Sequence, residues 1–101
     1  MAYVKVATLA EIAPGKMIGV KARGKPVMIA NIGGKLHAVS DKCTHNGCGL
    51  SRGELEGAVV TCPCHASRYD ARDGKVLGGP AQLPLRVFGV KVDEKNVFVD
   101  A

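Results

Sequence analysis

The sequence predicts an antiparallel all-β sandwich or barrel, and three observations carry that expectation. Short apolar or alternating runs recur towards both ends of the 101-residue chain. Tight glycine-containing turns separate these runs, and no stretch keeps a helical period over ten or more residues. Tyr3-Val-Lys-Val alternates as a half-buried strand does. Thr8-Leu-Ala-Glu11 has the spacing of a capping box, which predicts one short helical turn before Ala13-Pro-Gly breaks it. Met17 to Ala22 and Pro26 to Ile32 are apolar runs separated by Arg23-Gly-Lys, the pattern of a hairpin. Gly33-Gly34 makes a second tight turn into a strand at Lys35 to Val39. Leu85 to Val92 and Asn96 to Val99 form a last pair joined by Asp93-Glu-Lys. Met17, Met28, Phe88 and Phe98 are expected in the core, and His37 on a strand outside the functional loops.

The middle of the chain differs in composition. Residues 43–80 hold seven glycines and two prolines in 38 positions, against six and three in the other 63. All four cysteines and two of the three histidines fall there. A loop-rich lobe at about 41–81 is therefore expected on a scaffold made of about 1–40 and 82–101, the whole forming one domain over 1–101. No apolar run approaches the ~20 residues that span a bilayer. The N-terminus has none of the features of a signal peptide. A soluble cytoplasmic protein without a membrane span, monomeric when isolated, is the expectation.

The formal net charge is +5, and the stretch 16–42 carries all of it: Lys16, Lys21, Arg23, Lys25, Lys35 and Lys42 oppose only Asp41. None of the four aromatic residues lies in that stretch, so a nucleic-acid surface would lack stacking platforms. A solvated face whose lysines protect edge strands is the first reading, and a surface for an acidic protein partner is the second.

Chemistry concentrates in Cys43-Thr-His45-Asn-Gly-Cys48 and Cys62-Pro-Cys64-His65-Ala-Ser67-Arg-Tyr69. Four explanations compete. A disulfide framework suits small secreted domains, and nothing here signals export. A structural zinc site closes tetrahedrally on paired ligands, for which Cys-x-Cys and Cys-x-His are poor spacings. A dithiol redox motif needs Cys-x-x-Cys, which is absent. The fourth divides the residues: Cys43-x-His45 and Cys62-x-x-His65 supply one cysteine and one histidine from each of two loops. That is the ligand set of a 2Fe–2S centre in which two histidines replace two cysteines on one iron.

On these motifs, and on Gly78-Gly79-Pro80-Ala81, the sequence resembles the Rieske 2Fe–2S family. The resemblance implies a Rieske-like β scaffold with a cluster-binding lobe. One 2Fe–2S cluster would be held by Cys43, His45, Cys62 and His65, with the histidines at the exposed tip and Pro80 in a covering proline loop. An oxidised cluster with two thiolates and two imidazoles is neutral overall. This is why such potentials run at about −150 to +300 mV, against about −400 mV for plant-type ferredoxins.

The resemblance also implies a Cys48–Cys64 disulfide, as in respiratory Rieske proteins, whereas many oxygenase-type ferredoxins lack both cysteines. In the loop-entropy account such a bridge contributes about 3 kcal/mol. Two buried thiols are the alternative, because cytoplasmic disulfides are uncommon, although burial beside a cluster would shield one. The resemblance makes Ser67 a donor to a bridging sulfide and Tyr69 a donor to a ligand thiolate, each raising the potential; otherwise both are ordinary strand polar residues. Ala66 stands where the family usually has glycine.

Three functions follow. The first is a stand-alone ferredoxin passing single electrons from a reductase to an acceptor such as a terminal oxygenase, with no catalysis of its own. The second is a soluble electron-transfer subunit of a respiratory or other oxidoreductase complex. The third is a structural zinc-binding interaction module. Because charges within 41–80 cancel, the tip around Leu50 and Leu77 to Pro80 is expected to meet partners through apolar contact. The resemblance places the basic residues on scaffold strands away from it, where they are expected to contribute only long-range steering. A histidine hydrogen bond is expected to join the apolar contact at the tip.

Overall fold

The computed structural model describes residues 3–44, 47–64 and 66–101. Its strands in chain order begin with β1 (Tyr3–Thr8), β2 (Met17–Ala22), β3 (Lys25–Ile32) and β4 (Lys35–Ser40). Then come β5 (Glu54–Glu56), β6 (Val59–Thr61), β7 (Arg68–Asp70), β8 (Val76–Gly78), β9 (Val87–Asp93) and β10 (Asn96–Asp100). Six of them form an antiparallel sheet in the order β1-β10-β9-β4-β3-β2. Its two edge strands, β1 and β2, come into contact, so the sheet curls into a near-barrel. The other four make a second antiparallel sheet in the order β5-β6-β7-β8, inside the glycine-rich middle.

The turns follow from local chemistry. Between β2 and β3, Arg23 and Gly24 both have positive φ, at 54° and 81°, and between β3 and β4 Gly33 and Gly34 do, at 63° and 94°. Two consecutive left-handed residues form the hairpin turn whose twist matches that of the strands it joins. After β1, the Glu11 carboxylate accepts the Thr8 N–H at 2.6 Å, and a single 3-10 turn spans Leu9–Glu11 as the capping box predicts.

Strand β3 organises the interior because both of its faces are covered. Val27 and Ile29 point into the barrel with Ile12, Leu36, Phe88, Val97 and Val99. Met28 and Ala30 point the other way, into a second core with Val39, Leu50, Val60, Tyr69 and Leu85. That second core lies between the barrel wall and the small sheet, so the lobe is fastened to the scaffold by apolar contact. Asn31 closes one end: its side-chain amide donates to the Ile12 carbonyl at 2.7 Å, and its Oδ1 accepts the Gly34 N–H at 2.9 Å.

Several expectations are corrected. The lobe carries four three-residue strands, too short for any period to register in the sequence. Strand β9 begins at Val87, two residues later than expected; Leu85 instead donates its N–H to the Gly74 carbonyl at 2.8 Å and buries its side chain in the lobe core. Phe98 is not in the barrel core, since its neighbours Val97 and Val99 take the inward positions. It lies half-buried on the outer face, with the Lys91 ammonium 5.7 Å from its ring centre. Met17 packs half-buried against the lobe core.

Leu50 was expected at the tip and is fully buried, whereas Leu83, which no pattern singled out, is 65% exposed. The basic residues are also placed differently. Val27 pairs with Ser40, and the Asp41 N–H donates to the Pro26 carbonyl at 3.1 Å. The Arg23–Lys25 hairpin therefore sits at the end of the barrel from which the 43–48 loop departs.

The burial contrast sets a stability prediction. Leu50→Ala empties a closed site and should cost about 2–5 kcal/mol, lowering the thermal midpoint by about 10 °C or more. Leu83→Ala should stay within about 0.5 kcal/mol of the parent. Equal midpoints for the two variants in a melting experiment would contradict the placement of Leu50.

Candidate metal centre

The two cysteine loops are built on one backbone pattern. In the first, the Cys43 N–H donates to the Cys48 carbonyl at 2.9 Å, and the Gly47 N–H donates back to the Cys43 carbonyl at 2.7 Å. In the second, the Cys62 N–H donates to the Ser67 carbonyl at 2.8 Å, and the Ala66 N–H donates to the Cys62 carbonyl at 3.2 Å. Each loop is thus closed from its cysteine to the fifth residue on, and the fourth residue is left-handed: Gly47 at φ 77° and Ala66 at φ 59°. Cys43 and Cys62 are equivalent positions in the two loops, both buried and both outside the disulfide. His45 and His65, the expected histidine ligands, lie outside the described residues.

Cys48 and Cys64 form a disulfide with their Cα atoms 6.4 Å apart, tying the first loop to the second. Cys64 is exposed and Cys48 half-buried, so the bond lies at the surface and is not shielded as the buried-disulfide expectation had it. The sulfurs of Cys48, Cys62 and Cys64 lie within 4.8 Å of one another. Two of those three sulfurs are bonded to each other, so the grouping is not a metal triad; it places Cys62 beside the disulfide. The same bond takes Cys48 and Cys64 out of the ligand candidates and leaves no all-disulfide framework, because Cys43 and Cys62 stay outside it.

Around the loops, polar groups converge on the cysteine side. The Tyr69 hydroxyl, fully buried on β7, lies 3.3 Å from Cys43 Sγ and accepts the Thr44 N–H at 3.2 Å. It is also 2.9 Å from Thr44 Oγ1, which donates its own proton to the Leu83 carbonyl at 2.7 Å. With the threonine proton committed to Leu83, the phenol proton points to Thr44 Oγ1 or to Cys43 Sγ. A thiolate at Cys43 is the stronger acceptor, since bonds to ionised groups are about twice as strong as neutral ones. Burial, reinforced by the bond to Cys43, holds the Tyr69 phenol above its usual pKa. It therefore keeps its proton, and its donor role, at neutral pH.

Ser67 is the second buried hydroxyl. Its Oγ accepts the Ala81 N–H at 3.2 Å, and among the described residues no acceptor receives its own proton. The segment Gly78-Gly79-Pro80-Ala81 lies directly across this loop: a Cβ on Gly79 would fall 2.6 Å from Ser67 Cα and 2.9 Å from the Ala66 carbonyl oxygen. Glycine is needed there for close approach as well as for its φ of 83°. Pro80 itself is exposed, next to Leu83. Two buried cysteine sulfurs, a phenol at one of them and a buried serine with a proton to donate fit the sulfur-ligated side of a 2Fe–2S cluster.

His37 belongs elsewhere. Half-buried on β4, it faces the far end of the lobe. Its pKa is lowered by burial first and then by Lys35 and Arg72, with Asp70 partly opposing. Asp70 is held below its ordinary value mainly by the Arg72 guanidinium, whose two nitrogens reach its carboxylate at 3.0 and 2.8 Å.

The matched loops allow an exchange test. A left-handed non-glycine residue costs roughly 1–2 kcal/mol, offset by about 0.5–1 kcal/mol for the greater unfolded freedom of glycine. Ala66→Gly should therefore raise the thermal midpoint by about 3–6 °C. Gly47→Ala should lower it by a similar amount, since a Cβ there meets nothing within 4 Å and only the backbone cost applies. Two variants shifting in the same direction would refute the equivalence of the loops.

Comparison with known proteins agrees with this geometry. The Rieske [2Fe-2S] domain family matches residues 2–89. The ferredoxin component of biphenyl 2,3-dioxygenase from Rhodococcus jostii (strain RHA1) is 38% identical over 100 residues, covering 99% of this chain and 94% of that protein. Among solved structures, the ferredoxin of carbazole 1,9a-dioxygenase from Nocardioides aromaticivorans IC177 superposes with a TM-score of 0.92 at 32% identity, over 98% of this chain and 97% of that one. A chain in a complex of reduced oxygenase and oxidised ferredoxin of carbazole 1,9a-dioxygenase does so at 0.90 and 34%, over 96% and 91%. With a family match over nearly its whole length and relatives matched from end to end, the chain belongs to the Rieske [2Fe-2S] family.

Proposed function

We propose that this protein is a Rieske-type ferredoxin that accepts one electron from a reductase and delivers it to the terminal oxygenase of a multi-component dioxygenase system. The observation that carries this reading is the end-to-end likeness to dioxygenase ferredoxin components, which leaves almost no part of either chain unmatched. The neighbour found in complex with an oxygenase supports the same choice of acceptor. On this reading the chain catalyses no reaction alone and works in the cytoplasm. Among the described residues no helix is long and apolar enough to cross a membrane.

The ligand set we propose is Cys43 and Cys62 through sulfur, with His45 and His65 through imidazole nitrogen. When bound, the cluster supplies a one-electron couple whose potential is raised by imidazole in place of two thiolates. The remaining work is done by the protein. Burial of Cys43 and Cys62 keeps water from the thiolates, and the Cys48–Cys64 bond holds the two loops together. Tyr69, held in place by Thr44, donates toward Cys43, and Ser67 has a proton to donate beneath the Pro80 segment. Both donors withdraw density from sulfur and favour the reduced state.

Three measurements test the reading. The purified protein should be coloured, with a 2Fe–2S visible spectrum, and should support oxygenase turnover only when a reductase is present. A colourless, metal-replete protein would end it. Tyr69→Phe and Ser67→Ala should each keep the spectrum and lower the midpoint potential by tens of millivolts, up to ~100 mV. That range follows because a hydrogen bond to a charged group contributes roughly 1.5–3 kcal/mol, of which only the difference between redox states counts, and 59 mV is tenfold for one electron. Unchanged potentials in both would remove these hydroxyls from the site. His45→Cys or His65→Cys, where a cluster still assembles, should lower the potential further, and a variant at the parent potential would refute that histidine as a ligand.

A further inference from the structure

The basic residues that make up the net charge are not spread along the scaffold. The register of the large sheet sorts them by end. Ala22 pairs with Lys25 and Val27 with Ser40, so the β2–β3 turn and the exit of β4 share one end of the barrel. Lys21, Arg23 and Lys25 stand on that turn, Lys42 immediately precedes Cys43, and Arg52 follows the first cysteine loop; all five are exposed. Lys21 and Arg52 line a common concavity of about 300 Å³ with Pro26, Ser51 and Asp41.

Asp41 is the acid among them. Its two oxygens are occupied by Ser51, accepting the backbone N–H at 2.6 Å and the hydroxyl at 2.7 Å. Asp100 also ends its strand at this end of the barrel, but on β10, beyond β9 and β4 in the sheet order. Among the described residues, the single ion pair joins Arg72 to Asp70, in the lobe. The five cations of the collar therefore face solvent with their charge uncompensated by contact. At the opposite end, Lys16, Lys35 and Lys95 are interspersed with Glu11, Asp93 and Glu94, and the charges balance.

We propose that this basic collar, beside the cysteine loops, is a docking surface for an electron-transfer protein whose own docking face is acidic. The inference rests on the ferredoxin reading and adds the charge of the partner. Electrostatic complementarity steers encounter and fixes orientation. It raises association rates by 10-fold to 1,000-fold at low salt and fades as the Debye length shrinks to ~3 Å at 1 M. Because the collar lies at the end from which the first cysteine loop departs, a partner held there is brought up to that loop. The same charges on the balanced end would draw it to the wrong side.

The experiment uses the cluster-loaded protein with its spectrum and midpoint potential verified, so a failure here is distinct from a failure of the ferredoxin reading. Reduced protein is mixed by stopped flow with plastocyanin, an oxidant with an acidic docking face, and with cytochrome c, an oxidant with a basic one. Plastocyanin should react faster at low ionic strength, and 1 M salt should reduce that preference by tenfold or more. The K21E/R23E/K25E variant should reverse the preference without moving the potential. The K16E/K35E/K95E variant, with the same change in net charge at the far end, should keep it within about twofold. A parent preference for cytochrome c, a salt-independent ratio, or equal effects of the two variants would overturn the proposal. So would tight binding of a single-stranded oligonucleotide that the collar variant abolishes, with no plastocyanin preference, because the surface would then read phosphates.

Discussion

Everything at the cluster end depends on two short loops being closed by hydrogen bonds at their own cysteines. Each cysteine uses its N–H to reach a carbonyl five residues on and its carbonyl to take back an N–H from the fourth. This fixes the loop through its backbone and leaves the buried sulfur available as a ligand. The requirement is geometric, and it falls on the fourth residue, which must turn left-handed. One loop meets it with Gly47; the other meets it with Ala66 at some strain. The disulfide is an addition to this arrangement, since it joins loops that are each already closed.

How much of this was legible in the sequence depended on length scale. The hairpins were, because Arg23-Gly24 and Gly33-Gly34 sit between runs of six to eight strand residues, long enough for turn chemistry and pattern to agree. The four strands of the lobe were not, because three residues cannot show a period of two. The cysteine and histidine spacing pointed to the cluster, since spacing is a property of the chain itself, whereas the disulfide was expected only from the family resemblance, with two free thiols as the alternative. Burial was less accessible. Leu50 follows a glycine in a polar stretch, and only the packing of the lobe on β3 encloses it. Phe98 looked like core by alternation, but Val97 and Val99 face inward, and a phase error of one residue moves a strand side chain to the other face.

The charge pattern shows the same limit. The sequence locates six basic residues between positions 16 and 42 and cannot say which end of a barrel each occupies. Antiparallel pairing decides that: it folds Lys21, Arg23 and Lys25 back beside Lys42 and sends Lys16 and Lys35 to the other end. A predominantly basic linear stretch thus becomes two surfaces with different surroundings, one with cations in clear excess and one balanced.

The cluster end therefore divides its tasks by depth. The two hydroxyls proposed to tune the potential, Tyr69 and Ser67, are fully buried and held by backbone donors, Thr44 for one and Ala81 for the other. A partner does not touch them directly, because both side chains are fully buried. Among the described residues, the exposed groups at this end include Leu77, Pro80 and Leu83 on the lobe and the basic collar on the barrel, none of which donates to a cysteine sulfur. Thr44 is where the layers meet, since its hydroxyl donates to the Leu83 carbonyl while its N–H supports Tyr69. Pressure on the exposed Leu83 segment has a two-bond path to the phenol beside Cys43. Elsewhere among the described residues, the exposed collar and apolar rim are separated from the buried hydroxyls beside the cysteines.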